Sequence, residues 1–282
     1  MKWRSPIRKR KTTSKLPAMI APAPLHTQAA GQQAQAMILA AGRGQRMRPL
    51  TDHTPKPLLP VRGCSLLLRQ AQALARGGVE RILINTAWLG EQIEAHMAAA
   101  ALPGVHTLWS REGQDFGHAL ETLGGICRAL PQLEEVFWVL AADVYAPDFA
   151  YTQEALQNFA ASGKLGHLWL VPNPPQHPGG DFGLAAPVPG SGVAAGLALA
   201  QPQPGNSYTY STIALYRRAL FEPPHCAIPP GNPAGLCAPL APLLRQAMAQ
   251  GRISAQVYTG VWADVGTPER LAALNQPLTC KP

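Results

Sequence analysis

The sequence predicts an α/β domain built on a mostly parallel, Rossmann-like sheet that is flanked by helices. From residue 37 to residue 171, strand-length apolar runs alternate with helix-length segments, which is the pattern of a parallel sheet covered on both faces. The 282 residues are 46% hydrophobic, which is enough to bury the core of one large domain. From residue 172 onward, Pro and Gly cluster between shorter apolar segments, and this change predicts a smaller mixed extension of the same domain.

The individual elements follow from apolar spacing and from the residues that interrupt it. Helix 65–76 has its apolar residues on one face and ends at Gly77-Gly78. The other predicted helices are 90–101, 118–130, 149–161, 239–250 and 267–274. The predicted strands are 37–41, 81–85, 105–109, 136–142, 166–171, 207–216 and 253–258.

Charge and composition set the boundaries of the domain. Residues 1–35 hold seven of the 24 Lys and Arg residues and none of the 16 Asp and Glu residues, so the net charge of +8 falls to +1 for the rest of the chain. This segment, basic and then rich in Pro and Ala, is predicted to be a disordered extension. We predict a domain over 36–276, with parts 36–171 and 172–276, and a tail over 277–282. The nearly neutral domain predicts no nucleic-acid partner.

The remaining composition predicts a cytoplasmic protein. No apolar run approaches the length of a membrane helix, and three prolines interrupt segment 16–25, which makes it a poor signal-peptide core. The five cysteines are scattered without CxxC spacing, which is typical of thiols in a reducing compartment.

Segment 37–60 combines a strand, a glycine turn and fixed positive charge. Its apolar run ends in Gly42 and Gly44, and the cations that follow are Arg43, Arg46, Arg48 and Lys56. Glycines let the backbone approach an anion, turn N–H groups face its oxygens, and cations neutralise it. We therefore predict a polyphosphate site with Arg46 and Lys56 at its two ends. The alternative is a Gly-rich turn followed by a solvated basic stretch.

Two common phosphate-binding motifs do not fit this segment. No Gly-Lys-Ser/Thr follows the glycines, as a Walker loop requires. Met47 stands where the dinucleotide-binding fingerprint has its third glycine.

Two aspartates follow apolar stretches far apart in the chain. Asp143 ends the run 136–142, and Asp264 precedes Gly266-Thr267. A carboxylate at the mouth of a buried strand is costly unless it is paired or binds a cation, so the two predict Mg²⁺ held by few protein groups and by phosphate oxygens. The alternative for each is a helix N-cap, although Thr267 is better placed than Asp264 for the last helix. Because ligands of parallel sheets lie at the carboxyl ends of strands, we expect the glycine loop, Asn85 and Asp143 to line one crevice.

Residues 39–61 match LAAGxGxRMxPLTxxxPKPLxPV, the signature that the sugar-nucleotidyltransferases (the nucleoside-diphosphate-sugar pyrophosphorylases) share. The chain resembles this family from about residue 36 to residue 274, which implies the GT-A-like nucleotidyltransferase fold, with 36–171 binding the nucleotide and 172–276 the sugar. The family's metal aspartates fall on Asp143 and on Asp264 of its WxDxGT motif. The predicted nucleotide-binding residues are Leu39, Ala40, Ala41, Gly42, Arg43, Gly44, Gln45, Arg46, Lys56, Asn85 and Glu112. Arg46, Lys56, Asp143 and Asp264 are the predicted catalytic residues.

Three further segments resemble the N-acetylmuramate-1-phosphate uridylyltransferases within that family. They are 85–90, Asn173-Pro174 with Gly180-Asp181-Phe182, and 241–247. Together with an ETGGG-type segment at 121–125, they predict sugar-phosphate contacts from Glu121, Asn173 and Asp181. An alternative for Asp181-Phe182 is a hairpin turn. The chain departs from the family at Leu123, which replaces a glycine, and at Ala141, which replaces the Asn of Asn-Gly-Asp.

The predicted reaction transfers a nucleotidyl group from UTP to N-acetylmuramic acid 1-phosphate in cell-wall recycling, with Mg²⁺ as cofactor. A sugar 1-phosphate is already ionised, so no general base is required, and catalysis consists of alignment and neutralisation of charge. Alternatives are another sugar-1-phosphate or phosphocholine nucleotidyltransferase using dTTP, GTP or CTP, and a non-catalytic nucleotide-sugar sensor. A GT-A glycosyltransferase would need a DxD pair, which 141–143 lacks. We expect a monomer or small homo-oligomer.

Overall fold

A nine-stranded mixed sheet with helices on both faces organises the part of the chain that the computed structural model describes, residues 34–185 and 195–276. The tail 277–282 and all of the predicted extension except its last two residues lie outside the described residues. The strands are β1 (Ala34–Leu39), β2 (Pro60–Val61), β3 (Cys64–Ser65), β4 (Arg81–Thr86), β5 (His106–Arg111), β6 (Leu133–Ala141), β7 (Val144–Tyr145), β8 (Gly166–Val171), β9 (Gly183–Leu184), β10 (Gly196–Leu199), β11 (Thr209–Arg217), β12 (Ile253–Val257) and β13 (Ala263–Asp264). The helices are α1 (Leu66–Arg76), α2 (Gly90–Ala100), α3 (Glu112–Phe116), α4 (Glu121–Ala129), α5 (Gln153–Ala161), α6 (Ala241–Ala249) and α7 (Pro268–Asn275).

The sheet order is β5-β4-β1-β6-β11-β8-β12-β10-β9. The first four strands in this order are parallel neighbours, as the alternation of strands and helices predicts. β11 is antiparallel to both β6 and β8, and β12 is parallel to β8. The strands of the second half therefore continue the sheet of the first half. The predicted fold class is confirmed.

Alternation along the strands divides the core between the two faces of the sheet. On β6, Phe137 and Val139 face a core that α4 and α6 cover, whereas Trp138 and Leu140 face a core that α1, α2 and α5 cover. Both sets of side chains are almost fully buried, which accounts for the continuous apolar run in the sequence. Within the described residues, no helix is long and apolar enough to cross a bilayer.

Several predicted element boundaries were wrong, and three of them have a local explanation. The first strand begins at Ala34, and Gln35 accepts a hydrogen bond from the backbone N–H of Glu80, which ties the chain to the sheet before residue 36. The helix predicted at 118 begins at Glu121, because 112–116 forms a short helix of its own that ends at Gly117 with φ 78°. The helix predicted at 149 begins at Gln153, where the Thr152 hydroxyl accepts the N–H of Ala155 as an N-cap.

Candidate active site

A cavity of about 920 Å³ opens at the carboxyl ends of β1, β4 and β6. As expected, the glycine loop, Asn85 and Asp143 all line it. The predicted site residues that line it are Leu39, Ala40, Ala41, Gly42, Gly44, Gln45, Arg46, Lys56, Asn85, Glu112, Glu121, Asp143 and Asp181. Arg43, Asn173 and Asp264 are the predicted residues that do not line it.

The glycine loop turns at Gly44, which has the left-handed φ of 67°. A Cβ at this position would lie 3.1 Å from Cβ of Lys56 and 3.1 Å from Cγ2 of Thr51. Thr51 also donates its hydroxyl to the Gly44 carbonyl at 2.8 Å. Glycine is therefore required both by the turn and by the close approach of the Lys56 stem. Met47, in the place of a third glycine, is fully buried and anchors the loop.

Arg43 and Arg46, on either side of Gly44, have different positions. Arg46 lines the cavity, whereas the guanidinium of Arg43 lies 3.8 Å from the centroid of the Trp88 ring. Arg43 also donates to the Thr51 carbonyl at 2.7 Å and to Oδ1 of Asp52 at 2.8 Å, and its hydrogen bond lowers the pKa of that carboxyl. Through these contacts the Arg43 side chain stabilises the loop, and it does not line the cavity. The prediction that it contacts the nucleotide is not supported by this position.

Lys56 and Asp143 form an ion pair in the cavity wall, with 2.5 Å between Nζ and Oδ2. The Lys56 side chain is only 12% exposed, so its ammonium is held in one place beside the glycine loop. Asp143 precedes β7 rather than a helix, and the next helix begins at Gln153. The alternative of an N-cap is therefore wrong for Asp143.

Asp264 lies next to Asp143 because β7 and β13 pair, with Asp264 opposite Val144. The N–H of Val265 donates to the Asp143 carbonyl at 2.9 Å. Oδ2 of Asp264 contacts Nη1 of Arg270 at 2.5 Å, and Oδ1 accepts from Gln176 at 3.1 Å. Thr267 caps α7, so the cap alternative is wrong for Asp264 too.

Arg46, from the glycine loop, also lies near Asp264. A Cβ added to Gly266 would lie 2.9 Å from Oδ2 of Asp264 and 3.5 Å from Nη2 of Arg46. The cavity edge at Gly266 therefore brings the loop cation close to the β13 carboxylate, although the two residues are far apart in sequence.

The residues at this edge of the cavity supply few metal ligands. Among residues 34–185 and 195–276, no group of three or more His, Cys, Asp or Glu side chains could hold an ion. The two neighbouring carboxylates, Asp143 in the cavity wall and Asp264 behind the lining residue Gly266, nevertheless fit Mg²⁺, which prefers one or two carboxylates together with substrate phosphates. The fit depends on oxygens that the nucleotide would supply.

A buried network sets the backbone of the loop. Oδ1 of Asn85 accepts the N–H of Ala40 at 2.7 Å, and Nδ2 donates to Oε1 of Glu112 at 2.7 Å. Oε2 of Glu112 accepts the N–H of Leu120 at 2.8 Å, and burial raises the pKa of Glu112 above its ordinary 4.5. Asn85 and Glu112 therefore position the Ala40 backbone, which lines the cavity.

Substitution of Asn85 by Asp is expected to make stability strongly pH dependent. The new carboxylate would face Glu112 in place of a donor, and two adjacent carboxylates cannot both ionise, so the pKa of the pair rises further. A carboxyl whose folded pKa is raised stabilises the fold below its unfolded pKa, and this stability is lost as pH rises through the folded pKa.

The melting temperature of Asn85→Asp should therefore fall, relative to wild type, from about pH 5 to about pH 8. Asn158→Asp, at an exposed position of α5, is the matched control and should follow wild type. A constant difference between Asn85→Asp and wild type across this range would contradict the account.

The residues predicted for the sugar phosphate separate into two groups. Glu121, with the positive φ of 58°, and Asp181 line the cavity. Asp181 links β11 to the segment before β9: its Oδ2 accepts the N–H of Tyr210 at 2.9 Å, and its Oδ1 lies 3.1 Å from Nε2 of His177. Asn173 is used structurally: its Oδ1 accepts from Thr209 and its Nδ2 donates to Ser207. The predicted substrate contact of Asn173 is not supported.

Sequence reasoning missed several cavity residues in the second half, among them Thr212 and Arg245. Thr212 adopts the left-handed φ of 63° at a register irregularity of β11, and among the described residues its buried hydroxyl has no hydrogen-bond partner. A β-branched residue in this conformation is strained, and such strain is concentrated at functional sites. Arg245 of α6 also lines the cavity. It belongs to segment 241–247, so the family resemblance was the signal that could have found it.

The fold and the site together define a nucleotide-binding α/β protein with an anion loop at the carboxyl edge of the sheet and a pair of carboxylates beside it. In comparison with known proteins, the family described as "Nucleotidyl transferase" matches residues 35–194. The chain belongs to this family. The predicted family membership is confirmed, and with it the prediction that the chain is an enzyme of the nucleotidyltransferase type.

Individual relatives agree with this membership. An N-acetylmuramate alpha-1-phosphate uridylyltransferase from Neisseria meningitidis serogroup B is 44% identical over 84% of this chain and 95% of its own length. A protein of the same name from Caulobacter vibrioides is 40% identical over 36% of this chain and 41% of its own length. Among solved structures, HddC from Yersinia pseudotuberculosis, complexed with GMP-PN, matches with a TM-score of 0.60 and 16% identity over 86% of this chain and 98% of that one. The last likeness shows the fold alone.

Proposed function

We propose that this enzyme transfers the uridylyl group of UTP to N-acetylmuramic acid 1-phosphate and releases pyrophosphate. The observation that carries the proposal is the single cavity in which the glycine loop, Lys56 and Asp143 meet the wall formed by Asp181 and Arg245. The 44% identity with the Neisseria uridylyltransferase over nearly that protein's whole length supports the choice of substrates.

The reaction requires positioning rather than proton transfer. An oxygen of the sugar phosphate attacks the α-phosphorus, a new P–O bond forms, and the bond from the α-phosphorus to the α,β-bridging oxygen breaks as pyrophosphate leaves with the electron pair. The attacking oxygen is already ionised, so no base is required. Alignment of two bound reactants accounts for much of such a rate increase.

We assign the chemistry to residues that the cavity brings together. The loop backbone from Leu39 to Gly44 holds the nucleotide, and Asn85 and Glu112 keep that backbone in place. Arg46 and Lys56 neutralise the triphosphate and the departing pyrophosphate. Asp143 and Asp264 would hold Mg²⁺, which supplies charge neutralisation on the phosphates when bound.

We also propose how the reaction is divided within the chain. Residues 36–171 bind the nucleotide and 172–276 bind the sugar, where Glu121 of the first part contributes to the sugar side. The proposed product, a uridine diphosphate sugar, fits cell-wall recycling in the cytoplasm.

A substrate panel tests the proposal. Purified enzyme with Mg²⁺ is incubated with each of UTP, dTTP, CTP and GTP, and with the 1-phosphates of N-acetylmuramic acid, N-acetylglucosamine, glucose and mannose. Pyrophosphate release should be fastest with UTP and N-acetylmuramic acid 1-phosphate. If another pair of substrates reacts fastest, the enzyme is a nucleotidyltransferase of a different specificity. If no pair releases pyrophosphate, the proposed function is wrong.

A further inference from the structure

Arg245 places a cation in the part of the cavity remote from the glycine loop. It lies on α6, which packs against β10 and β12, whereas the loop follows β1 at the other side of β6 and β11 in the sheet order. Arg46 and Lys56 already supply the positive charge at the loop. In the proposed reaction the sugar phosphate must also lie at the loop, because its oxygen attacks the α-phosphorus there, so Arg245 is left for another group of the acceptor.

The side chain of Arg245 is held in place but not neutralised. Its Nε donates to the Ala200 carbonyl at 3.2 Å, and its guanidinium carbon lies 5.5 Å from the centroid of the Phe182 ring. Phe182 is 2% exposed and lines the same cavity, so it offers a fixed surface for the guanidinium. Within the described ranges, Arg245 makes no ion pair and its two Nη groups have no hydrogen-bond partner.

The nearby carboxylate does not neutralise this cation. Asp181 lines the cavity beside Phe182, but its two oxygens accept from Tyr210 and His177, and it makes no ion pair with Arg245. Glu121, the other acidic residue of this wall, is exposed and likewise makes none among the residues described. The two Nη groups of Arg245 are therefore available to a ligand in the cavity.

We propose that Arg245 binds a carboxylate on the sugar, so that the acceptor is a hexose 1-phosphate with an acidic substituent. This inference rests on the proposed function and adds a specificity-determining residue to it. A planar guanidinium binds a carboxylate through two parallel hydrogen bonds, which an ammonium cannot reproduce. N-acetylmuramic acid differs from N-acetylglucosamine by one lactyl ether that carries such a carboxylate, and the analogue that lacks this group would leave Arg245 unpaired.

The test compares two acceptors that differ only in this group. The kcat/KM for the 1-phosphates of N-acetylmuramic acid and N-acetylglucosamine is measured at saturating UTP for wild type, Arg245→Met and Arg245→Lys. The ratio of the two values should fall by about 10- to 100-fold in Arg245→Met, the range for a lost hydrogen bond to a charged group. The ratio for Arg245→Lys should lie between those of wild type and Arg245→Met, because lysine keeps the charge without the paired hydrogen bonds. Arg76→Met, which removes an exposed arginine of α1, controls for loss of positive charge.

The outcomes separate this inference from the function on which it rests. An unchanged ratio in Arg245→Met would overturn the carboxylate contact, as would equal losses with both acceptors, since these indicate a structural role. Wild-type preference for N-acetylglucosamine 1-phosphate would also overturn it and leave nucleotidyl transfer in place. No turnover of either acceptor by wild type would contradict the proposed function itself.

Discussion

Replacement of Asp143 by Asn should lower kcat for pyrophosphate release by about a thousandfold, because charge stabilisation at a phosphoryl centre is worth several kcal/mol. The substitution removes the carboxylate at the cavity edge and leaves the ammonium of Lys56, which is only 12% exposed, without its partner. Both effects act on the place where the triphosphate is proposed to lie. Steady-state kinetics with UTP and a range of Mg²⁺ concentrations measures the loss.

Two further variants make this result specific. Asp264→Asn should cause a loss of similar size, because β13 places Asp264 next to Asp143. Asp148→Asn changes an exposed carboxylate five residues after Asp143 and should retain wild-type kinetics. Thermal melting of all three separates catalytic losses from unfolding. If folded Asp143→Asn keeps wild-type kcat, the assignment of the metal and of the reaction centre is wrong.

Replacement of Arg46 by Gln should lower kcat/KM for UTP by at least about a hundredfold, in the range measured when a donor to a developing anion is removed. Arg46 lines the cavity near Asp264, and no other arginine of the loop segment does so among the described residues. The loss should appear both in kcat and in equilibrium binding of UTP, since the cation meets the triphosphate in the ground state and in the transition state.

Arg43→Gln is the matched control, three residues earlier in the same loop. Its guanidinium stacks on Trp88 and bonds Asp52 away from the cavity, so we expect a few-fold change in KM for UTP and little change in kcat. We therefore predict that Arg46→Gln loses much more activity with UTP than Arg43→Gln does. Equal losses, or the reverse order, would show that the two arginines have been assigned the wrong roles.

The sequence predicted the fold where local signals exist. Apolar runs marked the strands because both faces of β6 are covered, and Gly77 and Thr267 marked helix ends through their own chemistry. The position of β11 between β6 and β8 has no local signal, since strand order depends on pairing between distant segments. Helix α3 was missed because five residues carry too little periodicity to recognise.

The site divides in the same way. Motif 39–61 predicted the nucleotide side of the site. Its residue pattern does not show that Arg43 turns towards Trp88 while Arg46 turns into the cavity. Arg245 resembles an ordinary polar residue on an amphipathic helix. Thr212 resembles a typical strand residue, and its left-handed backbone, the unusual feature, depends on the irregular pairing of β11 with β8. Side-chain direction is set by tertiary packing, which no single segment encodes.

The fate of a phosphorus label shows whether a nucleotidyl group is transferred to the sugar phosphate. Wild-type enzyme, Mg²⁺ and N-acetylmuramic acid 1-phosphate are incubated with UTP labelled at the α- or the γ-phosphorus, and the products are separated. All α-label should enter the uridine diphosphate sugar, and all γ-label should enter pyrophosphate. Release of γ-label as inorganic phosphate, or failure of α-label to join the sugar, would contradict nucleotidyl transfer.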